Sequence, residues 1–524
     1  PLDLVSVVPE AKGGGNITVA GGQEGGWDMT LDGISATPAA PFEQRLWTMV
    51  NSPSVDAIQE FAVDTNGFKA EFGHAGGGAF AFVSKSGTNQ FHGNLYEFLR
   101  NDYLDAAGFF DNANNKRKPV LKQHDFGGTI GGPVWIPKIY NGKNKTFFFF
   151  STEFFRNRTG PRADQFTIPL PEMYNGDFSS WKDQNGNLLP IYDPASTALQ
   201  SNGTYLRQPF PGNRIPVGRF STVAKNVLPL ATMQPNLADT RGILSPNPRN
   251  NFLTTTGARM DPWDKWSVKG DHIFNDKQRV GFLFQKNRTL QLAVGDPPGL
   301  PGPLNNGFQY GDTWTKVYRG THDWNISPTV LNHISVGFND WGQVRRAGDP
   351  SYNQGWAPKI GLKNVAIPDL LFPELRFDGY STWGRAEYGG SYNKTAAITN
   401  DLNWVKGSHT MKFGFMFQED HYNGYGSHSA SGSMGFSRLA TSTPLDTTNT
   451  SGNGFASFLL GYVGSASLET KRFVSNQWKY FSWYAQDDWR VNSRLTLSYG
   501  IRWEYTPPTV EGYSPDAYSN FNPS

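Results

Sequence analysis

Arg494-Leu495-Thr496-Leu497-Ser498-Tyr499-Gly500-Ile501-Arg502-Trp503-Glu504-Tyr505 alternates apolar and polar side chains without interruption. Strand side chains alternate faces with period two, so Leu495, Leu497, Tyr499, Ile501, Trp503 and Tyr505 share one face. The other face carries Arg494, Arg502 and Glu504 with small polar residues. At about 3.3 Å per residue and a tilt of roughly 45°, such a strand rises close to the ~25–30 Å of a bilayer's hydrocarbon layer. Lipid on one side and water on the other would account for both faces. A half-buried strand of a soluble sheet has the same pattern, so its recurrence along the chain decides.

It recurs in pairs. Trp266, Val268 and Phe274 lead through Asn275-Asp276-Lys277 to Val280, Phe282 and Phe284. His322, Trp324 and Ile326 lead through Ser327-Pro328-Thr329 to Ile334, Val336 and Phe338. Ile398, Asn400, Leu402 and Trp404 lead through Lys406-Gly407-Ser408 to Met411, Phe413, Phe415 and Phe417. Phe481, Trp483 and Ala485 lead through Val491-Asn492-Ser493 into Arg494–Tyr505. Each pair predicts a β-hairpin with a short polar turn. Between hairpins, segments near 157–262, 287–312, 342–395 and 421–453 are rich in Gly, Pro, Asn and Ser and lack a period, which predicts long loops. Short turns at one end and long loops at the other are the layout of an outer-membrane barrel, with the long loops extracellular. The fold class expected is therefore all-β, an antiparallel transmembrane β-barrel.

Bulk composition is compatible with this. A net charge of +2 with 18% charged residues gives no nucleic-acid footprint. Aromatics at 14%, with 58 Gly and 35 Pro, favour strands, turns and loops. A mean hydropathy of -0.51 does not oppose a barrel, which shows lipid only every second strand residue. No run approaches the ~18 apolar residues of a membrane helix; Phe147–Phe150 is the densest cluster. The absence of cysteine excludes disulfides, thiolate catalysis and Cys-ligated zinc. No signal peptide precedes Pro1, which leaves either a cytosolic chain or a true N-terminus lying upstream.

Before about residue 88 the texture is that of a small α/β domain. Ser52-Pro53 predicts a short helix with Ser as N-cap and Pro at its first position. Leu31-Asp32-Gly33 predicts a tight turn after a strand. Gly76-Gly77-Gly78 precedes the strand Ala79–Ser84, where missing side chains permit close packing.

The stretch Ser54–Phe61, which contains Ile58, Glu60 and Phe61, then Ala70-Glu71-Phe72-Gly73, Gly76-Gly77-Gly78 and Val83–Asn89, which contains Lys85 and Gly87, resembles the second half of the plug of TonB-dependent outer-membrane receptors. Phe91–Phe98 resembles their first barrel strand. Phe126–Pro133, Lys145–Phe150 and Tyr484–Trp489 complete a set similar to the Oar-like branch, whose members carry a carboxypeptidase-regulatory-like domain before the plug. The resemblance implies a plug signature of Asp32, Gly33, Ile58, Glu60, Phe61, Glu71, Gly73, Gly77, Gly78, Lys85 and Gly87. It implies plug over residues 1–88 and barrel over 89–524. It also implies import of a scarce extracellular ligand through a Gram-negative outer membrane, energised by the TonB complex. Roughly eleven or twelve strand candidates are visible, about half of a 22-stranded barrel. No TonB box is visible. An open sheet cannot stand in lipid, so the chain is expected to be a fragment whose last strand has an unpaired outer edge.

Other motifs point elsewhere only weakly. Glu419-Asp420-His421 with His428 could bind a metal in a loop, although a solvated loop tip explains it as well, and no HExxH occurs. Ser179-Ser180-Trp181-Lys182 fits SxxK and Lys85-Ser86-Gly87 is similar to KTG, but their order is reversed and no SDN appears. Gly76-x-Gly78-x-x-Ala81 precedes a strand rather than joining strand to helix, unlike a dinucleotide fingerprint. No catalytic residue, cofactor or metal is therefore expected. Trp483, Trp489, Trp503 and Tyr505 suit a membrane interface, while loop residues Trp356 and Trp383 could stack on sugars. Lys412, Arg502 and Glu504 are expected to face the lumen. The leading reading is ligand import. Its rivals are an adhesive surface barrel and a soluble β-rich carbohydrate-active protein, the latter requiring a carboxylate pair in a cleft. Substituting arginine for Leu497 or Phe413 should cost ~2–4 kcal/mol if these lie near the bilayer midplane, whereas reversing Lys412, Arg502 or Glu504 should spare insertion. Equal tolerance of both sets in a membrane-insertion assay would reject the assigned faces.

Overall fold

The computed structural model describes residues 11–12, 18–22, 27–36, 53–65, 69–73, 76–113, 118–160, 163–183, 185–237, 250–255, 259–293, 300–307, 310–346, 351–365, 370–385, 387–470 and 472–512. Thirteen strands form one antiparallel sheet. A smaller mixed sheet comprises β1 (Trp27–Leu31), β2 (Ile34–Ser35), β3 (Ile58–Asp64) and β4 (Gly78–Ser84), in the order β2-β1-β4-β3 with β1 and β4 parallel.

The principal strands of the large sheet are β5 (His92–Asn101), β6 (Leu121–Pro133), β7 (Thr146–Thr159), β8 (Trp263–Asn275), β9 (Gln278–Ala293), β10 (Tyr310–Ser327), β11 (Val330–Arg346), β12 (Tyr388–Lys406), β13 (His409–Ser427), β14 (Arg472–Asn492) and β15 (Leu495–Tyr505). Each pairs with its neighbours in sequence, so the sheet is an up-and-down meander. Among the described residues β5 and β15 are paired on one side only.

The wall has two chemically distinct faces. Phe282, Val336, Phe338, Ile398, Phe413 and Ile501 are exposed on one. Ser151, Gln285, Asn287, Thr315, Ser335, Asn339, Asn393 and Thr395 are buried on the other. In a lipid solvent this partition puts apolar groups outward and leaves the backbone satisfied by the ladder. Near the short turns, Trp324, Trp404 and Trp489 stand on the outward face; farther along the strands Tyr392 stacks on Tyr425 there and meets Trp314 at a tilt. Tyr392 and Trp404 share one strand and are about 40 Å apart along it, roughly 30 Å along the membrane normal at a tilt near 45°. Two aromatic girdles at that spacing mark the interfaces of a bilayer. Trp503, near the end of β15, pairs with Trp483 at 5.0 Å, but Trp483 stands part-way along its own strand because β14 continues to Arg472.

The strands reach farther than the alternation predicts. β9 ends at Ala293, β11 at Arg346 and β13 at Ser427, while β12 begins at Tyr388. The glycines of Gly389-Gly390 and Gly424-x-Gly426 read as loop, yet they pair with each other in ladder register. Glu419-Asp420-His421 is consequently strand rather than loop tip: Asp420 accepts from Thr395 and Gln418 on the inner side, while Glu419 and His421 pair on the other. Alternation prevents the three from converging on one ion. The helix expected from Ser52-Pro53 is a single 3-10 turn, Val55–Ala57, following Ser54, and Ile58 already begins β3; Ser52 lies outside the described residues.

The long connections are not structureless. Parts of the segments 163–237, 300–307, 351–385 and 428–470 pack into one apolar cluster around Trp383, Phe372, Phe178, Phe455 and Phe458. The helix Gly454–Leu460 runs through this cap, N-capped by Asn453, whose Oδ1 accepts from the amides of Phe455 at 2.8 Å and Ala456 at 3.2 Å. Arg207 donates to the carbonyls of Leu439, Ala440 and Ser442, stitching two segments together. Trp383 is fully buried and Trp356 packs on Phe372, so Trp383 is core rather than a sugar platform.

Within the cap, burial pushes the Asp446 carboxyl up, but hydrogen bonds from Ser451, Thr448 and Arg438 outweigh it and hold the group well below the usual carboxylate range. The folded value is depressed, so its contribution is fully present above the unfolded carboxylate pKa of about 4 and is lost as pH falls below that. Hydrogen exchange of the Thr448–Asn453 amides, corrected for intrinsic rates, should rise below that pH in the native chain. In an Asp446→Asn variant the same rise should be absent.

Candidate functional site: the seat of the small sheet on the wall

The small sheet builds an apolar core from Trp27, Met29, Leu31, Phe80 and Phe82, which also packs against Leu283 and Val317 of the wall. Asp32 and Gly33, with φ of 48° and 81°, make the turn from β1 to β2. Both Asp32 oxygens accept from Ser84, Oδ1 from its amide at 2.9 Å and Oδ2 from its hydroxyl at 2.6 Å, so the turn is tied to the end of β4. Lys269 of the wall donates to Ser84 Oγ at 2.7 Å and lies 3.6 Å from Asp32. Phe61 stacks on Phe82 at 4.8 Å, and Ile58 packs against the same core. Glu60 is exposed beside a register shift in β3. The Lys85 amide donates to the Ala57 carbonyl at 2.8 Å.

A second contact is made by Arg319, 1% exposed, which sits on the inner face of β10. Its Nε donates to the Leu31 carbonyl at 3.1 Å, and its other donors reach the carbonyls of Tyr318 and Ser35. Asn339 also donates to Ser35 O at 2.9 Å. A buried guanidinium held by backbone carbonyls is a costly arrangement unless every donor finds an acceptor, which makes this contact position-specific. Its alternation on β10 places it inward; nothing in the sequence reveals that its acceptors belong to the turn some 290 residues away.

The third contact involves the inward side chains read from the sequence. Lys412 pairs with Glu71, which also accepts from Gln486 Nε2 at 3.3 Å. Arg502 Nη1 donates to the carbonyls of Ala70 and Glu71 at 3.3 and 3.2 Å. Its Nε donates to Glu504 Oε1 at 2.7 Å, and Tyr480 donates to the same oxygen at 2.5 Å. A Cβ on Gly73 would collide with the Arg502 guanidinium, and one on Gly87 with the carbonyls of Phe148 and Gly132. Gly78 would strike Val19, while Gly77 lies against Gly22, so these glycines permit close approach of backbone to neighbour.

One space adjoins the seat and another lies apart from it. One, about 230 Å³, lies between sheet and wall and is lined by Asp28, Glu71, Asp401, Tyr484 and Arg502 among others. The second, about 430 Å³, lies toward the outer ends of β11–β14 and is lined by Gln343, Arg345, Glu387, Ser391, Tyr422 and His428 among others. In the ladder just below it, Trp341 Nε1, Thr315 Oγ1 and the Asn393 amide are buried without a protein partner among the described residues. Such groups call for a polar partner. Ser179 and Lys182 belong to the cap, and Lys85–Gly87 to the base of the small sheet; no described contact joins them.

Residues 83–524 match the family described as "Outer membrane beta barrel domain". The chain belongs to that family. It is a protein of the outer membrane, with an antiparallel transmembrane β-barrel fold. It is 28% identical over 274 residues to the TonB-dependent transporter Oar of Myxococcus xanthus, covering 48% of this chain and 24% of that protein. The unliganded ferric citrate transporter FecA superposes with a TM-score of 0.50 at 9% identity, over 98% of this chain and 55% of that one, a likeness of fold. The siderophore receptor PirA of Acinetobacter baumannii gives 0.46 at 13% identity, over 96% of this chain and 54% of that one. The chain thus spans about a quarter of the length of the curated relative and about half that of the solved receptors.

Removing Arg319 strips the Leu31 carbonyl of its wall donor and leaves Asn339 alone on Ser35, and Arg319→Ala should loosen the seat by about 1–3 kcal/mol. Lys412→Ala, at a more accessible pair, should cost less. Hydrogen exchange at β1 amides in the two variants measures both, and equal exchange in wild type and Arg319→Ala would refute the assignment.

Proposed function

We propose that this chain is the plug (residues 1–88) and wall (89–524) of a TonB-dependent receptor of the Oar-like branch, which imports a scarce extracellular ligand and catalyses no covalent step. The observation that carries this reading is the seating of the small sheet: three polar contacts, at Lys269, Arg319 and Lys412–Arg502, hold it against the inner face of the wall. A domain fixed that way occludes the lumen yet detaches with the loss of only a few apolar contacts, those of Leu283 and Val317 among them. TonB supplies the energy, and further strands close the wall between β15 and β5, since lipid tolerates no unpaired edge. The similarity to Oar supports the branch.

Planar-bilayer recording on the complete receptor, with and without residues 1–88, tests the occlusion. Large steady conductance is expected only after the deletion; equal conductance would overturn the reading. Energised cells should label a Glu71→Cys variant with maleimide faster than cells lacking TonB.

The cap favours a second reading, a surface attachment protein on the same barrel, because its loops enclose a core instead of an open funnel. Deleting residues 163–237 should then abolish cell attachment while leaving insertion intact.

A further inference from the structure

Four of the connections on the short-turn side are polar and tight: Asp276-Lys277, Pro328-Thr329, Gly407-Ser408 and Ser493-Arg494. The connection from β6 to β7 is longer and carries large apolar side chains beside its lysines. It forms its own small hairpin, in which Trp135–Ile136 pairs with Tyr140–Asn141, and Lys138 turns it with a φ of 63°. Its large side chains are bare: Trp135 is 60% exposed, Ile136 46% and Ile139 79%. Isolated in water, such a cluster has no reason to stay apolar.

The direction in which the hairpin leans is fixed by Tyr140, whose hydroxyl bonds the Thr146 hydroxyl. On β7 the buried, inward residues are Phe147, Phe149, Ser151 and Glu153, so Thr146 stands on the outward face. Thr146 also bonds His272 Nδ1 at 2.7 Å, and His272 packs edge-on against exposed Phe274. The hairpin therefore lies along the lipid-facing side of the wall, at the level of the lower girdle of Trp324, Trp404 and Trp489. It is continuous with the membrane-contacting surface rather than with the lumen. Lys138, Lys143 and Lys145, all exposed, surround it and complement anionic headgroups.

We propose that residues 135–141 are an interfacial anchor, which lays Trp135, Ile136, Ile139 and Tyr140 into the headgroup–acyl boundary of the periplasmic leaflet and presents its lysines to anionic lipid. Indole and phenol rings, with one apolar body and one polar edge, are suited to that boundary. The proposal rests on the outer-membrane location and is independent of what the barrel transports.

The chain contains no cysteine, so a single label is unambiguous once any cysteines elsewhere in the complete protein are replaced by serine. An environment-sensitive fluorophore on Ile139→Cys is read in the complete protein, reconstituted in vesicles of phosphatidylethanolamine and phosphatidylglycerol. Phe413→Cys and Gly407→Cys serve as the lipid and water references. The expected result is blue-shifted emission, quenched several-fold more strongly by headgroup-level nitroxide lipid than by aqueous iodide. Adding Lys138→Glu, Lys143→Glu and Lys145→Glu should weaken that quenching in these vesicles and leave it unchanged in vesicles of phosphatidylcholine alone. Emission matching Gly407→Cys would overturn the proposal, as would shielding that appears only after a periplasmic extract is added, which would assign the hairpin to a protein partner. Charge reversal without effect in anionic vesicles would overturn the role of the lysines.

Discussion

A backbone placed in hydrocarbon must pair every N–H and C=O within the protein, and the rest of this structure depends on that constraint. It explains why β8–β14 run as one continuous sheet, why four of the connections on the short side are tight, and why irregular backbone collects beyond the strands. It also fixes the side-chain pattern. Once the ladder satisfies the main chain, one face is free to be apolar toward lipid and the other polar toward the lumen. The hydrophobic effect then acts at three separate places: outside on lipid, in the small sheet, and in the cap.

The two inner bodies are held in different ways. The cap has an extensive aromatic core, with Trp383, Phe377, Phe455 and Phe458 in mutual ring contact. The small sheet touches the wall through only a few apolar residues, Leu283 and Val317 among them, together with charged and amide donors. Close-packed apolar cores resist partial opening, whereas polar contacts can exchange for water one at a time. The difference is the one the proposed function calls for, a rigid outer body and an inner one that can leave its seat.

Much of the wall was legible because period two is a strong signal. Ile398–Trp404 and Met411–Phe417 display it openly, and their turn is polar. The outer halves of the same strands were hidden by Gly389, Gly390, Gly424 and Gly426, which locally resemble loop. The cap was illegible for a different reason: Phe178, Ile191, Phe210, Phe372 and Phe455 follow no period, and only the fold brings them together. Alternation placed Lys412, Arg502 and Glu504 on the inner face and passed over Arg319, which the structure puts there too; parity names a face and never a partner. Glu71 and the Leu31 carbonyl lie hundreds of residues away in the chain. Trp383 misled because an aromatic in a Gly- and Ser-rich stretch looks available to solvent until its neighbours are known.

The length of β14 has an electrostatic consequence. Arg472–Asn492 spans 21 residues, about 70 Å along the strand and roughly 50 Å along the membrane normal. Its upper end reaches the upper girdle and little farther, since Tyr425 pairs with Phe473, so the excess over a hydrocarbon layer of ~25–30 Å is shared between the two ends and the wall rises only about one Debye length above the hydrocarbon. A solute approaching the strand ends therefore meets the surface potential of the membrane superimposed on the protein's own field, and changes in lipid headgroup charge should be felt there.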